Sequence, residues 1–285
     1  MYRFRIPHSA DLFQGPGDLP FADLEAWLAR NGARYLWRAI SAVRSICYWG
    51  MGAAVECLGP EAFLPDPASD NGAAAPGEPG EAQDGTAASL VEATAALRRK
   101  AWSRAEAIKY CQDPDEFGSP FLRRLYAARP RERDRFCGAL CRALRDLAAS
   151  GPEDSDVELK FRRASEALGL SEGDREMARL LVCLPELYSL DNFLTSSLKV
   201  FLPLGRCTLA RILGRSEAQT EAIFRGKLKT MDLIGGLKGG KSYSPYLTPI
   251  FYELMNSPDG LEALKDSGPQ AGFIPAHKPR LRLED

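Results

Sequence analysis

One short segment of the chain matches the sequence pattern of a phosphate-binding loop. Gly235 to Ser242, GGLKGGKS, fits GxxxxGK[ST], in which backbone amides hold phosphates, the lysine reaches the terminal ones and the hydroxyl holds magnesium. That chemistry requires a helix directly after the loop, whereas Pro245 and Pro249 follow here and would interrupt a helix in its first turns. We therefore interpret Gly235, Gly240, Lys241 and Ser242 as a β-hairpin turn. An ATPase using Lys241 is the alternative, in which Lys241→Ala abolishes ATP binding.

Other patterns of catalytic or metal-binding residues are absent from the sequence. The two histidines, His8 and His277, are near opposite ends, and GxSxG, HExxH and CxxC do not occur. Paired imidazoles for a zinc site or for acid–base chemistry are therefore missing. Cys137 and Cys141 would share a helix face, but no second ligand pair is nearby. We predict no catalytic residue, no metal and no cofactor, and buried reduced cysteines typical of a cytoplasmic protein.

Arginines are concentrated in one helical stretch. Eight of them lie between Arg123 and Arg145, against Glu132, Asp134 and Asp146. Guanidinium groups pair bidentately with oxyanions, so the stretch could contact phosphates or an acidic partner. A helix face that is simply solvated explains the same residues, and we favour that interpretation. The possible anion or nucleic-acid contacts in this stretch are Arg123, Arg124, Arg131 and Arg135.

The composition limits the class of protein. The 285 residues are 45% hydrophobic and 26% charged, with a formal net charge of −1, as in an ordinary globular protein of one or two domains. This balance excludes a uniformly basic nucleic-acid coat, although not a local basic face. The apolar stretch Ser45–Val55 is much shorter than the roughly 20 residues of a membrane-spanning helix. We expect no membrane partner.

The first half of the chain predicts a helical bundle. Apolar residues recur at spacings of three and four in 21–29, 33–58, 130–150 and 157–168, which is typical of helices with one buried face. Residues 60–86 are rich in Pro, Gly, Ala and acidic residues, and we interpret them as a disordered tether. The predicted organisation is N-terminal helices in 1–59, the tether, and a bundle with an Arg-rich face in 87–168.

The second half predicts a winged helix, so the fold class is mainly α with a small β-wing. Ser171 and Asp174 form a capping pair, and Thr208 and Gly214 bound a short helix. Ser216 caps a second helix, whose inward-facing residues would be Ala218, Ile223, Phe224, Leu228 and Met231. A strand at Leu233, a Gly-rich hairpin and a returning strand to Leu247 follow. Helix, turn, helix and hairpin in this order are typical of a winged-helix domain, here 169–266, followed by an extended tail, 267–285.

A winged helix does not by itself determine function. In DNA-binding versions the second helix enters the major groove, but here that helix begins with Glu217, Gln219 and Glu221, and carboxylates repel phosphates. We therefore favour a protein partner over DNA. DNA binding is the alternative, and its contacts would be Arg211, Arg225, Lys229, Lys238 and Lys241.

Parts of the second half resemble a known family. LGLSEGDREMARLLVCLPEL and LARILGRSEAQTEAIF resemble the region that precedes the ATPase module in a group of bacterial AAA-family ATPases. The closing PAHKPRLRLED resembles the lead-in to that module, so the resemblance covers about residues 168–285. It implies an N-terminal part of a longer protein, or a relative without the motor, that receives partners and regulates a ring. The family's nucleotide site would lie beyond Asp285, so no catalytic residue carries over.

The sequence as a whole predicts a non-catalytic recognition or regulatory region that binds a protein partner. A winged-helix DNA-binding transcriptional regulator is the alternative. An oligomer is possible through a parent ATPase.

Overall fold

The computed structural model describes residues 23–63, 90–97, 123, 125–151, 155–235 and 245–256. Within these ranges the protein is mainly α-helical, which confirms the predicted class. The helices are α1 Leu24–Val43, α2 Tyr48–Leu58, α3 Leu90–Leu97, α4 Pro130–Ala149, α5 Asp156–Ala167, α6 Glu172–Cys183, α7 Tyr188–Asn192, α8 Arg206–Leu213, α9 Glu217–Ile223, α10 Lys227–Thr230 and α11 Pro249–Asn256. Two short strands, β1 Ile234–Gly235 and β2 Tyr246–Leu247, pair antiparallel.

The N-terminal helices divide at a different place from the predicted one. The sequence predicts a break near residue 30 and one helix over 33–58, but α1 continues through Gly32 and ends at Val43. A Cβ at position 32 would collide with the side chain of Leu187, so the glycine allows close packing instead of ending the helix. Arg44 ends α1 in the left-handed conformation, with φ 52°, and its N–H bonds to the Ile40 carbonyl. The predicted boundary was wrong because the apolar periodicity continues across this turn.

Helices α4, α5 and α6 agree with the predicted apolar faces. Phe136, Leu140 and Leu144 of α4 are buried, as are Val157 and Phe161 of α5. The predicted capping pair at the start of α6 is formed, because the Ser171 hydroxyl accepts from the Asp174 N–H at 3.2 Å and the Ser171 N–H donates to the Asp174 carboxylate at 3.1 Å.

Helix α1 lies at the centre of the described structure. It packs against α2, α4, α6 and α8, and a smaller contact reaches α5. One hydrophobic cluster includes Trp27 and Leu36 of α1 together with residues from all of these helices. Residues far apart in the sequence therefore share one core around a single N-terminal helix.

The region from α8 to β2 has helices in the predicted order with one interruption. Helix α8 ends at Gly214, with φ 67°, and Ser216 caps α9 through a hydrogen bond from the Gln219 N–H at 3.2 Å. The second predicted helix is divided, because α9 stops at Ile223 and the short α10 starts at Lys227. Ala218, predicted to face inward, is exposed. In the ladder Ile234 pairs with Leu247.

Two predicted segments are only partly described. The first residues of the predicted tether, Pro60–Phe63, form a 3-10 turn whose Phe63 is buried, and the rest of the tether lies outside the described residues together with the tail 267–285. Helix α7 is continued by a π-helical turn, Phe193–Ser197. Among the helices that the structure describes, none combines the length and apolarity needed to cross a membrane.

Candidate functional site

The predicted arginine-rich face lies on the outside of α4. Arg123, Arg131 and Arg135 are exposed, and Arg124 lies outside the described residues. On the opposite side of the same helix Phe136 and Leu140 enter the core. The structure therefore places these arginines on a surface, with no enclosing wall among the described residues.

The residues predicted for DNA contact are only partly brought together. Arg211, Arg225 and Lys229 are exposed, while Lys238 and Lys241 lie outside the described residues. Arg211 contacts the Ala42 carbonyl at 3.5 Å, and Arg225 pairs with Glu221 at 3.3 Å.

Most of the segment that matches a phosphate-binding loop lies outside the described residues. Gly235 lies in β1, whereas the undescribed stretch 236–244 contains Gly240, Lys241 and Ser242. The interpretation as a hairpin turn remains a prediction, although β1 and β2 on either side of this stretch pair with each other.

Sequence reasoning missed a second row of arginines, on α1. Arg30, Arg34 and Arg38 are four residues apart, so they follow one side of the helix. This spacing was visible in the sequence. The importance of this row was not visible, because the carboxylate that meets Arg34 and Arg38 is Glu176 of α6, more than a hundred residues later in the chain.

Two glutamates and one arginine form a compact network against α1. Arg179 on α6 donates to Glu158 at 2.6 Å and to Glu176 at 2.6 Å. Glu176 also lies 3.9 Å from both Arg34 and Arg38. These side chains are mostly withdrawn from water, since Arg179 keeps 13% of its exposure and Glu158 18%. Paired charges at such depth interact more strongly than pairs on a surface.

Neutral groups complete the network. The indole N–H of Trp27 donates to the Glu158 carboxylate at 2.8 Å. The hydroxyl of Tyr35 lies within hydrogen-bond distance of the Glu176 backbone carbonyl, at 3.1 Å, and of the Glu176 carboxylate, at 3.3 Å. The Arg179 guanidinium also lies 4.8 Å from the ring centre of Phe161, within cation–π range. Each carboxylate is therefore held by several donors on different helices.

Burial and charge act in opposite directions on this network. Burial disfavours the charged form of Arg179, but Tyr35 in its ionised form, Glu158 and Glu176 together outweigh it and raise the pKa of the guanidinium above its ordinary value. Burial, followed by the Glu176 charge, raises the pKa of the Tyr35 hydroxyl well above its usual range. Tyr35 therefore stays protonated and Arg179 stays charged.

A cavity of about 400 Å³ opens beside this network. It lies between α1, the C-terminal end of α4 and the outer side of α5. The residues that line it are Trp27, Arg30, Asn31, Arg34, Ala148, Ala149, Ser150, Gly151, Glu158 and Arg162. Guanidinium groups and polar backbone thus form most of the described wall.

The chain after α4 fixes one wall of the cavity. Gly151 has φ +94°, and a Cβ at this position would collide with the Arg30 guanidinium. Arg30 donates to the Ser150 carbonyl at 3.3 Å and to the Ala26 carbonyl at 3.2 Å. The glycine therefore allows the backbone to approach Arg30 and hold it at the cavity.

A separate, partly buried carboxylate, that of Glu56, lies on α2. Glu56 accepts hydrogen bonds from the Ser189 N–H at 2.9 Å and from the Ser189 hydroxyl at 2.8 Å, at the start of α7. Burial raises the pKa of Glu56 to about 6, against the opposing effect of the Ser189 hydrogen bonds. This carboxylate caps the start of α7 and pairs with no cation among the described residues.

No group of His, Cys, Asp and Glu within the described ranges is arranged to hold a metal ion. The six described cysteines are unpaired, and burial raises the pKa of Cys57 and Cys183. Thiols of this kind are poor nucleophiles.

Comparison of the chain with protein-family models, with characterised proteins and with solved structures finds no match. The function is therefore argued from the geometry of the molecule.

Proposed function

We propose that the protein is a non-catalytic recognition or regulatory region, and that the surface of α9 contacts a protein partner. The segment from α8 to β2 would be a winged-helix domain, with α9 as its second helix and the stretch between β1 and β2 as its wing. A helix, a tight turn, a helix and an antiparallel pair in this order support this assignment.

The observation that carries the proposal is the charge on the exposed side of α9. Glu217, Gln219 and Glu221 are exposed, and they occupy the side and the end of the helix that would meet DNA in a DNA-binding winged helix. Carboxylates in that position oppose the phosphate contacts that dominate DNA affinity. They suit a protein surface that offers lysine or arginine.

Several cations near α9 are already used within the fold. Arg215 pairs with Glu172 at 2.6 Å, Lys227 donates to the Gly169 carbonyl at 2.6 Å, and the Arg206 guanidinium lies 3.2 Å from the ring centre of Phe224. These contacts keep the three side chains close to the protein. Glu221 pairs with Arg225 at 3.3 Å and lies 3.9 Å from Arg206, so Glu217 is the carboxylate of α9 that has no ion pair among the described residues.

DNA binding is the second candidate, because Arg211, Arg225 and Lys229 are exposed in the same region. The two candidates make opposite predictions for one measurement. Fluorescence anisotropy with random-sequence duplex DNA at about 50 mM salt should show no binding if α9 contacts a protein. Tight binding that weakens steeply with salt would support the DNA candidate and contradict our proposal.

A charge-reversal pair tests the α9 surface directly. Glu217→Lys with Glu221→Lys should abolish the recovery of a partner from a lysate of the source organism. Glu166→Lys with Glu253→Lys changes the charge equally at two exposed positions on α5 and α11 and should leave the recovery unchanged. Equal recovery by both double variants would contradict the assignment of α9 as the contact surface.

We also propose, from the resemblance over about residues 168–285, that this region works upstream of an AAA-family ATPase module, in the same chain or in a partner. The test is genetic. A reading frame that stops at Asp285, with no phosphate-loop module in the same operon, would contradict this placement without affecting the α9 proposal.

A further inference from the structure

We propose that the cavity between α1, α4 and α5 is a binding site for a small molecule that carries an oxyanion, a phosphate or a carboxylate group. This inference does not depend on the proposed function, since the cavity lies away from α9. It rests on the charges of the residues that line the cavity, on the arrangement of the nearby carboxylates, and on the volume of the cavity.

The described wall of the cavity is positively charged. Three guanidinium groups line it, those of Arg30, Arg34 and Arg162, against one carboxylate, that of Glu158. Guanidinium groups bind phosphate and carboxylate groups through pairs of parallel hydrogen bonds. Their convergence on one concave space distinguishes this site from the exposed row of arginines on α4.

The single carboxylate of the wall is already satisfied. One oxygen of Glu158 accepts from Arg179 at 2.6 Å, and the other accepts from the Trp27 indole at 2.8 Å. Arg179 does not line the cavity, so the charge of Glu158 is neutralised by a cation that lies outside the cavity. Glu158 therefore does little to offset the guanidinium groups that line the cavity.

Arg34 shares a second carboxylate, that of Glu176, with Arg179 and lies farther from it than Arg179 does. Its nearest described acidic partner is Glu176, at 3.9 Å, and Glu176 is held more closely by Arg179, at 2.6 Å. The Arg34 side chain keeps 32% of its exposure, so it reaches the open side of the cavity. An oxyanion in the cavity would give Arg34 a closer partner than the fold provides.

The cavity has the size and the polar groups of a ligand site. About 400 Å³ falls in the range of small-molecule pockets, roughly 300–1,000 Å³. Asn31, also in the wall, is buried, and its Oδ1 has no hydrogen-bond partner among the described residues. A ligand with a hydroxyl or amino donor near its acid group would complement both features.

The two neighbouring arginines of α5 provide a matched test. Arg162 lines the cavity, whereas Arg163 is exposed and does not line it. Inorganic phosphate is titrated by calorimetry into the full chain in a chloride-containing buffer. We expect Arg162→Gln and Arg34→Gln each to weaken binding at least tenfold, and Arg163→Gln to change it less than twofold.

A spectroscopic signal locates the bound anion. Trp27 lines the cavity, so its indole N–H resonance should shift on addition of phosphate, while the resonance of Trp37 should not. Glycerol phosphate and succinate, titrated in parallel, distinguish a phosphate ligand from a carboxylate ligand, and tighter binding of either supports the site.

Three outcomes would overturn the proposal. The first is the absence of saturable binding of all three probes. The second is equal weakening by Arg162→Gln and Arg163→Gln, which would indicate general attraction to a basic surface. The third is binding with no shift of the Trp27 indole resonance. Unfolding midpoints without phosphate show whether Arg162→Gln and Arg34→Gln remain folded.

Discussion

Helices α1 and α4 have equal length, 20 residues each, and both carry rows of arginines, but the fold treats the two rows differently. On α4, Arg131 and Arg135 face solvent. On α1, Arg34 and Arg38 meet Glu176 from another helix, and Arg30 is held by a backbone carbonyl. The number of arginines in a stretch therefore says less about a charged site than the elements that fold against it.

The two rows of arginines should also differ in how much they contribute to the stability of the fold. An exposed arginine contributes little to the free energy of unfolding, because water solvates it in both the folded and the unfolded state. An arginine in the α1 network is partly removed from water and must be compensated by carboxylates. Changes to the network should therefore cost far more stability than changes to the α4 face.

The largest expected effect is that of Arg179→Ala. The substitution leaves Glu158 and Glu176 withdrawn from water without their closest cation, and breaking such a pair costs about 3 to 5 kcal/mol. Denaturant unfolding of the two proteins measures the difference. Arg163→Ala, at an exposed position on α5, should stay within about 0.5 kcal/mol. A loss below about 1 kcal/mol for Arg179→Ala would remove the distinction between the two rows.

A smaller effect should come from Glu56, a partly buried charge compensated by hydrogen bonds alone. Its pKa is about 6 in the folded protein, above the ordinary 4.5, so the folded state binds the proton more tightly than the unfolded chain. The free energy of unfolding therefore falls as pH rises through this interval and stays lower above it. A shift of this size corresponds to about 2 kcal/mol between about pH 4 and pH 7.

Glu56→Gln isolates this contribution. The amide keeps an oxygen for the Ser189 N–H but cannot ionise, so other titrating groups cancel when the variant is compared with the natural protein. We expect the variant to gain about 2 kcal/mol relative to the natural protein between about pH 4 and pH 7. Unfolding curves at several pH values within this range provide the measurement. A difference independent of pH would mean that Glu56 is solvated.

The smallest effect is expected on α4. Arg131→Gln and Arg135→Gln should each change the free energy of unfolding by less than about 0.5 kcal/mol, as is usual for exposed positions. Thermal or denaturant unfolding is sufficient to check this. A loss above about 1 kcal/mol in either variant would show that α4 also carries a structural charge network, and the comparison with α1 would fail.

Local patterns in the sequence predicted much of the helical structure. The apolar spacing of Phe136, Leu140 and Leu144 and the capping pair Ser171 and Asp174 each depend on neighbours in the chain. These elements were found with nearly correct bounds. The tight turn at Gly214 was predicted for the same reason, since it closes a short helix within a few residues.

The failures have physical causes of another kind. The end of α1 at Arg44 interrupts an apolar stripe that continues in α2, so periodicity gave no sign of it. The cavity was missed because its wall combines Arg30 and Arg34 with Glu158 and Arg162, which only tertiary folding brings together. Charge density in the sequence indicated α4 instead, where the arginines lie apart on an open surface.

The central position of α1 has a consequence for biosynthesis. Arg38 donates to the carbonyl of Ile212, 174 residues further along the chain. At a synthesis rate of roughly 5 to 20 residues per second, α1 waits about 10 to 35 seconds for that partner. During this time α2 and α4 are already made, but the parts of α1 that pack against α6 and α8 lack their final cover. A nascent chain paused before α6 should therefore bind general chaperones through its first helix.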